Sequence, residues 1–327
     1  MKNRAWLFIA IGFFLVQGCA TPKIQMFTDS TDPYKEFTLE GTQTPKVLVI
    51  QANGQIDEGP SRGLLRDRPG MVPDIVSQLR LAEKDKDIGA VVIKINSPGG
   101  TVTASDVLYH ELKTFKEKTG VKMVAVFMGI AASGGYYIAL PADRIVAHPT
   151  TITGSVGVIF LQPKVKGLMD KLGVGVDVSK SGDKKDMGSP FRASTAEEAR
   201  LLQDLTDQLG QRFIDLLTRH RQVSPEALAE IRTARIFLAD EARQLGMVDR
   251  IGYVEDAIQS AKTLAGLPDD AKVVVYRRGK FPDDTVYNAA GTSSVLNEPD
   301  LVHIELPGSI GELSSGFFYI WPPAAGL

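Results

Sequence analysis

Ser133 and two glycine-rich turns are the parts of the sequence that could do chemistry. Ser133 follows the small-residue run 129–132 and precedes Gly134 at the start of a predicted helix, whereas Gly99 and Gly100 follow a predicted strand. A serine at a strand-to-helix turn can present its hydroxyl to a cleft, and the N–H groups of a helix N-terminus attract an oxyanion. Because open α/β sheets bind ligands beyond the carboxyl ends of their strands, each turn could donate an N–H to a tetrahedral intermediate. The pattern indicates acyl transfer, although tight connections with Ser133 as a helix cap would also produce it.

A serine hydroxyl needs a base within hydrogen-bond reach, and no histidine of this chain is well placed for that role. His110 and His220 lie in predicted amphipathic helices among charged residues, His148 ends a predicted strand, and His303 lies in the weakly patterned tail. A Ser-His-Asp triad is therefore disfavoured. A lysine can act instead when burial or positive neighbours lower its pKa toward neutrality.

The elements that must position Ser133 follow an α/β pattern. Almost continuously apolar runs at 46–50, 89–95 and 122–127 predict buried strands, and apolar residues at helical spacing predict helices at 73–82 and 104–117. Strands of this kind alternating with helices are typical of parallel pairing with both faces covered. Farther along, a strand is predicted near 174–178, and a capping-box pattern at Thr195 predicts a long helix that ends near Arg221.

Composition excludes several classes of protein. The chain has 327 residues, 37 Lys+Arg against 39 Asp+Glu, and a hydrophobic fraction of 43%. This length and apolar content allow one large or two ordinary domains with a substantial core. The near-neutral charge balance argues against a nucleic-acid-binding protein, which usually carries a basic face. A single cysteine excludes an internal disulfide framework and a thiolate-rich zinc site.

The first 18 residues have the layout of a secretory signal, with a basic start, an apolar run at 5–16, and Cys19 directly after the signal. The residues before Cys19 resemble the lipobox of bacterial lipoproteins, so we expect lipid attachment at Cys19. An unmodified thiol after an ordinary or uncut signal is the alternative. The polar segment 19–44 is predicted to be a flexible tether. The implied location is the bacterial cell envelope, with the protein membrane-anchored and facing the periplasm or the cell exterior.

Five ordered motifs between about residues 46 and 265 resemble those of peptidase family S49, the signal peptide peptidase family, in its short single-domain form. They occupy 96–100 (NSPGG), 132–137 (ASGGYY), 153–158 (TGSVGV), 181–186 (SGDKKD), and 234–237 (ARIF) before 245–249 (LGMVD). The resemblance implies an α/β architecture of the Clp-protease/crotonase type, a superhelix of repeated β-β-α units with mainly parallel sheets and further C-terminal helices. It places the peptidase domain at 45–266 and leaves a C-terminal extension, 267–327, of unknown role.

The resemblance also implies a Ser/Lys dyad that needs neither a metal nor an organic cofactor. The nucleophile falls on Ser133, and the base falls on Lys185, the lysine before aspartate in the polar loop. A slip of one residue would move the base to Lys184. From the residues alone, both lysines could equally belong to an ordinary solvated loop.

Three further roles follow from the same resemblance. Ser155 would be a hydroxyl that orients the lysine, although the sequence around it is also compatible with a strand-end turn. The oxyanion donors would be the amide of Gly134 and that of either Gly99 or Gly100. The sequence does not decide between the last two.

Assembly and substrate are implied in the same way. With one copy of the catalytic unit in the chain, we expect a ring-like homo-oligomer in which Lys185 reaches Ser133 of a neighbouring copy. The expected substrates are hydrophobic peptides, such as signal peptides after their release.

The sequence is also compatible with two other functions. A crotonase-like acyl-CoA enzyme would also use paired backbone N–H groups, but it would not need a nucleophilic Ser133. A non-catalytic oligomeric surface lipoprotein would not be trapped covalently at Ser133 by a serine-reactive probe.

Overall fold

The computed structural model describes residues 32–59, 61–62, 67–281, 283–288 and 316–324. At its centre lies a nine-stranded, mostly parallel sheet, and a three-stranded sheet and a two-stranded ribbon are hydrogen-bonded separately from it. The predicted signal 1–18 and Cys19 lie outside the described residues. Among the described residues, no helix combines the length and the apolar content that crossing a bilayer requires.

The strands are β1 (Lys35–Glu40), β2 (Gln43–Asn53), β3 (Ser61–Arg62), β4 (Asp67–Arg68), β5 (Ile88–Ser97), β6 (Gly99–Thr101), β7 (Lys122–Ala132), β8 (Arg144–Ala147), β9 (Ile152–Gly154), β10 (Ile159–Leu161), β11 (Ile236–Leu238), β12 (Arg250–Ile251), β13 (Ala271–Arg277) and β14 (Gly316–Ile320). The helices are α1 (Met71–Lys84), α2 (Val102–Thr119), α3 (Gly134–Tyr137), α4 (Lys166–Leu172), α5 (Ala196–His220), α6 (Pro225–Ile231), α7 (Ala239–Gln244) and α8 (Val254–Ala265), followed by a 3₁₀ turn (Pro322–Ala324).

The main sheet has the strand order β1-β13-β2-β5-β7-β8-β12, and β9 and β11 extend it beside β7. The pairs from β13 through β12 are parallel, as is β7 with β9, whereas β1 and β11 run antiparallel to their partners. Parallel neighbours need a crossover, which α1 supplies between β2 and β5 and α2 supplies between β5 and β7. The predicted strands at 46–50, 89–95 and 122–127 are confirmed within β2, β5 and β7.

Two cores lie on opposite faces of the sheet. Leu48 and Ile50 belong to a large core that also contains residues of α1, α2 and α5, and Val47 and Val49 belong to a smaller core with α8. Successive residues of a strand point to opposite faces, so a strand covered on both sides must be apolar at every position. This is why the central strands read as continuous apolar runs.

The helix boundaries follow from local capping chemistry. The side chain of Thr101 accepts a hydrogen bond from the Ala104 amide at the start of α2. At the start of α5, Thr195 accepts from the Glu198 amide at 3.1 Å, and Glu198 accepts from the Thr195 amide at 2.8 Å. The predicted capping box is confirmed, and it orders the start of α5.

The predicted tether at 19–44 is wrong from Lys35 onward. Residues 35–40 form the edge strand β1, which pairs antiparallel with β13. Only alternate positions such as Phe37 and Leu39 pack on the smaller core, so a half-buried edge strand looks polar in sequence. Lys46 of β2 forms an ion pair with Glu36 of this edge strand at 2.8 Å and a second one with Asp85 at 2.6 Å.

Two other expectations from the sequence also differ from the structure. The predicted boundary at 266–267 does not separate an extension from the domain, because β13 lies inside the main sheet between β1 and β2. The predicted strand at 174–178 is not formed, and Val174, Val176 and Val178 are exposed. Their alternation is strand-like, but no strand of the described chain pairs with it.

Candidate active site

Ser133 occupies a strained turn between β7 and α3. Its φ of 51° and ψ of −115° lie in a region that residues with a side chain rarely adopt. Two backbone hydrogen bonds hold it there, from the Ser133 amide to the Gly154 carbonyl at 2.8 Å and from the Tyr137 amide to the Ser133 carbonyl at 2.9 Å. Strain of this kind persists only where the surroundings impose it, and it is frequent at nucleophilic serines.

The Ser133 hydroxyl is buried and has no hydrogen-bond partner in the described part of the chain. Ser133 occupies the N-cap position of α3, but its hydroxyl makes no capping bond to the helix. A buried hydroxyl without a partner destabilises a fold by about 1–3 kcal/mol. A buried, unbonded hydroxyl on a strained turn is typical of a reactive group. Its proton acceptor would then come from another part of the assembly.

The two glycine-rich turns meet beside Ser133, as the sequence predicts. A Cβ atom built on Gly99 would lie 2.8 Å from the Gly134 amide nitrogen, and one on Gly134 would lie 3.1 Å from the Gly99 Cα. Gly99 also has a φ of 104°, which only glycine adopts without strain. Glycine at these positions therefore allows two backbone segments to approach within contact distance.

Both hydrogen-bonding groups of the Gly99 backbone are already engaged within the chain. The Gly99 amide donates to the Ser97 hydroxyl at 3.1 Å, and the Gly99 carbonyl accepts from the Ile56 amide at 2.9 Å. The Gly134 amide lies in the first turn of α3, where no carbonyl of the helix can accept from it. The geometry therefore favours Gly100 over Gly99 as the partner of Gly134 in binding an oxyanion.

Ser155 lies next to the Ser133 turn. It directly follows Gly154, whose carbonyl accepts from the Ser133 amide, and its own amide donates to the Arg235 carbonyl at 2.8 Å. Ser133, Ser155 and Ala234 are the non-glycine residues with positive φ in the described chain. Two of these three are candidate site residues, and the third precedes the acceptor of the Ser155 amide, so the strain is concentrated around the site.

Lys185 lies elsewhere, in an exposed loop between α4 and α5. Its side chain forms no ion pair or hydrogen bond with any described residue, whereas Lys184 is paired with Glu197. The Ser133 hydroxyl has no hydrogen-bond partner among the described residues, so Lys185 does not contact Ser133 within a single chain. The structure thus brings together Ser133, the glycine turns and Ser155, and leaves Lys185 apart.

A charged clamp holds the base of the Lys185 loop. Asp186 is bonded to Arg192 and to Lys180, both at 2.7 Å, and the Arg192 guanidinium also binds Glu198. These contacts hold the pKa of Asp186 well below its usual range, through Arg192 first and Lys180 second, and the bond from Arg192 lowers the pKa of Glu198 to about 2. The clamp orients the loop that carries Lys184 and Lys185. Of these two lysines, Lys184 is paired with Glu197 and Lys185 has no partner among the described residues.

The described histidines have other partners. His220 is hydrogen-bonded to the Tyr109 hydroxyl at 2.8 Å, His148 to Thr150, and His110 is 3.5 Å from the Thr114 hydroxyl. Burial and then the nearby Lys116 lower the pKa of His220. His303 lies outside the described residues.

The strand β14 is the part of the site that the sequence did not predict. It lies between β6 and β10 and pairs antiparallel with both. The side chain of Tyr319 in this strand is fully buried against Tyr137 and Phe213. The aromatic run at 317–321 was a visible signal, but its pairing depends on contacts remote in sequence.

Comparison with known proteins gives consistent matches. A family model described as Peptidase family S49 matches residues 115–268, and one described as Clp protease matches residues 68–152. The chain is 34% identical over 254 residues to an Enterococcus faecium protein that bears the name signal peptide peptidase SppA, covering 77% of this chain and 73% of that protein.

Two further relatives extend the comparison. Identity is 39% over 238 residues with a Synechocystis protein named as a protease, covering 73% of this chain and 79% of that protein. Protease 4 of Salmonella typhi shares 34% identity over 223 residues, which is 68% of this chain but 35% of that protein. The Clp protease match, together with the mostly parallel sheet and its helices, confirms the predicted fold class.

Proposed function

This chain belongs to peptidase family S49 and is a serine peptidase, and we propose that it is a membrane-associated endopeptidase with a Ser/Lys dyad shared between copies. In this proposal Ser133 is the nucleophile and Lys185 of a neighbouring copy is its base. The observation that carries the proposal is the buried Ser133 hydroxyl, which lies on a strained turn and has no proton acceptor among the residues that the structure describes. Lys185, which is exposed and forms no ion pair or side-chain hydrogen bond with any described residue, complements it.

The proposed mechanism has two halves. Neutral Lys185 accepts the proton of the Ser133 hydroxyl as Ser133 Oγ attacks the peptide carbonyl carbon. The amides of Gly134 and Gly100 bind the oxygen that becomes negatively charged, and the protonated lysine then gives its proton to the leaving amine. In the second half, water attacks the acyl-enzyme with the same lysine as base, which restores Ser133.

Ser155 is proposed to position the lysine. Its place one residue beyond the Ser133–Gly154 bond would put its hydroxyl near a base that approaches Ser133. A hydroxyl there can accept a hydrogen bond from the ammonium form and hold the neutral amine in line with Ser133 Oγ. Ser155 would therefore act through Lys185.

The surface around Lys185 supports assembly. Apolar side chains are exposed on the segment that carries the loop and on the adjoining helix α5, namely Leu168, Leu172, Val174, Val176, Val178, Phe191, Leu201 and Leu205. Scattered exposed apolar residues are normal, but a group of them on neighbouring segments is typical of a protein interface. A second copy covering this segment would bring Lys185 into a sheltered environment, where burial can favour a neutral amine.

The proposed substrates are hydrophobic peptides, including released signal peptides. The name of the Enterococcus faecium relative and the buried apolar residues on both sides of Ser133 support this choice. The proposed membrane association is by lipid attachment at Cys19, in the bacterial cell envelope on the periplasmic or exterior side. It rests on the sequence of the first 19 residues.

Hydrolysis of a hydrophobic peptide tests the proposal. Ser133→Ala and Lys185→Ala should each lower kcat/KM by at least about 10³-fold. A metal chelator should change nothing. A Ser133→Ala enzyme that keeps its turnover would exclude the nucleophile and favour the acyl-CoA chemistry of related folds. Equal losses at Lys184 and Lys185 would refute the assignment of Lys185 alone.

A further inference from the structure

Ser97 lies between the two glycine-rich turns of the site. It ends β5 two residues before Gly99, and it is fully buried. In the sheet it stands opposite Ala131 of β7, two residues before Ser133. The sequence motif at 96–100 therefore places a buried serine beside the site in addition to its glycines.

The side chain of Ser97 shapes the first glycine turn. Its hydroxyl accepts a hydrogen bond from the Gly99 amide at 3.1 Å. Serine hydroxyls bind backbone amides two residues along the chain in many turns. Gly99 is buried and has a φ of 104°, so the bond holds a backbone conformation that only glycine adopts without strain. Removing the hydroxyl would take the acceptor away from a buried amide.

Ile56 fixes the same turn from one side. Its amide donates to the Gly99 carbonyl at 2.9 Å, and its carbonyl accepts from the Thr101 amide at 3.1 Å. Along an extended strand, the N–H and C=O groups of successive residues point to opposite sides. Because the groups on either side of Gly100 point toward Ile56, the Gly100 amide points away from Ile56. Its direction therefore depends on the conformation of the turn that Ser97 holds.

The backbone of Ser97 contacts the turn that carries Ser133. A Cβ atom built on Gly135 would lie 2.6 Å from the Ser97 carbonyl oxygen and 3.4 Å from the Ser97 Cβ. Gly135 directly follows Gly134, whose amide is one of the two proposed oxyanion donors. A side chain at position 135 would push the two turns apart. Ser97 thus binds the first glycine turn through its hydroxyl and contacts the second through its carbonyl.

We infer that Ser97 is a positioning residue for the oxyanion site, which sets the spacing and direction of the Gly100 and Gly134 amides. The inference rests on the proposed function for the roles of Ser133 and of the two amides. Two donors stabilise an oxyanion only when both lie about 2.7–3.1 Å from its position. Without the Ser97 hydroxyl, the glycine turn can rotate and the Gly100 amide loses its direction. The loss falls on the transition state, because the oxyanion develops only there.

Hydrolysis of a hydrophobic peptide by the full chain tests this inference with a matched pair of variants. Ser97→Ala removes the acceptor of the Gly99 amide. Ser260→Ala, in α8 against the smaller core, removes a buried hydroxyl that accepts from Arg144 at 2.9 Å. Both variants should lower Tm by a few degrees, since each leaves a donor without its acceptor. Only Ser97→Ala should lower kcat, by about tenfold or more, with KM within about threefold of wild type.

A peptide boronate gives a second readout that a purely structural role would not move. It forms a tetrahedral adduct with a nucleophilic serine and places an oxygen where the oxyanion develops. Its affinity should fall in Ser97→Ala by about the same factor as kcat, and should stay within about threefold in Ser260→Ala. If Ser97→Ala does not fold, Ser97→Cys replaces it, because a thiol is a weaker acceptor of similar size. That variant should lose at least about threefold in kcat.

Two results would overturn the inference. One is a kcat and a boronate affinity that fall no further at position 97 than in Ser260→Ala. The other is a loss confined to KM, which would show that Ser97 affects substrate binding and not the oxyanion. Failure of the proposed function would appear separately, as a wild-type chain that forms no boronate adduct at Ser133.

Discussion

The Ser133 turn and the Lys185 loop are built in opposite ways. The Ser133 turn lies inside the larger core, and backbone bonds from β9 and α3 hold it in a strained conformation. The Lys185 loop is exposed and is held mainly by the ion pairs of Asp186. Folding alone therefore preorganises the proposed nucleophile and the proposed oxyanion donors. The proposed base, Lys185, is instead exposed where a second copy could contact it. Its position depends on the surface ion pairs of Asp186.

Paired glycine substitutions should show this contrast most strongly. Gly99→Ala places a Cβ 2.0 Å from the Tyr319 carbonyl oxygen at a φ of 104°, whereas Gly182→Ala in the Lys185 loop meets no atom within 4 Å. We expect Gly99→Ala to lower kcat/KM by about 10²-fold or more and stability by about 1–3 kcal/mol. Gly182→Ala should change both little. Urea unfolding and peptide hydrolysis measure the pair, and equal effects would remove the distinction between the regions.

Loosening the clamp should affect activity more than stability. Asp186→Asn removes the charge that binds Arg192 and Lys180. Because the loop is exposed, we expect a change in Tm of no more than about 2 °C, but a fall in kcat/KM of about tenfold as Lys185 loses its orientation. Asp183→Asn is the control, because its backbone carbonyl, and not its carboxylate, binds Lys180. Similar losses in both variants would show that the clamp has no special role.

Acid should release the loop before it disturbs the Ser133 turn. Arg192 and Lys180 depress the pKa of Asp186, and Arg192 lowers that of Glu198 to about 2. A depressed folded-state pKa contributes stability above the unfolded-state pKa, and that stability is lost as the pH falls through the folded-state value. Hydrogen exchange at 180–192, corrected for its intrinsic pH dependence, should therefore be constant from about pH 5 to 8 and rise below about pH 4. A rise between pH 5 and 7 would contradict this account.

The smallest effect is expected at Lys184. Its exposed ion pair with Glu197 contributes little, so Lys184→Ala should keep kcat/KM within about threefold of wild type. Lys185→Ala is the internal comparison, one residue away on the same loop. If Lys184→Ala lost as much activity as Lys185→Ala, neither lysine alone could be assigned as the base.

Local signals made much of the fold and half of the site predictable. The strands at 46–50, 89–95 and 122–127 are buried on both faces and are therefore apolar throughout, and the capping box at Thr195 is visible within four residues. The glycines that follow Ser133 indicate a turn there. Each of these features depends on neighbours in sequence.

The features that the sequence could not predict depend on distant contacts. The sequence does not indicate β1, because only alternate residues of this edge strand are apolar. The choice between Gly99 and Gly100 depends on a hydrogen bond to the Ser97 hydroxyl, and the position of β14 depends on pairing with β6 and β10. Lys185 could be proposed only from resemblance, because its proposed partner belongs to another copy.

Co-assembly of two variants, each expected to be inactive alone, distinguishes a dyad shared between copies from a dyad within one chain. Ser133→Ala and Lys185→Ala chains are co-assembled in equal amounts, and hydrolysis of a hydrophobic peptide is measured. If Lys185 serves a neighbour, a site is intact when its own chain keeps Ser133 and the adjoining chain keeps Lys185. Random assembly makes this ½ × ½, so the mixture should regain about one quarter of wild-type activity. A mixture that stays as inactive as either variant alone would contradict a dyad shared between copies.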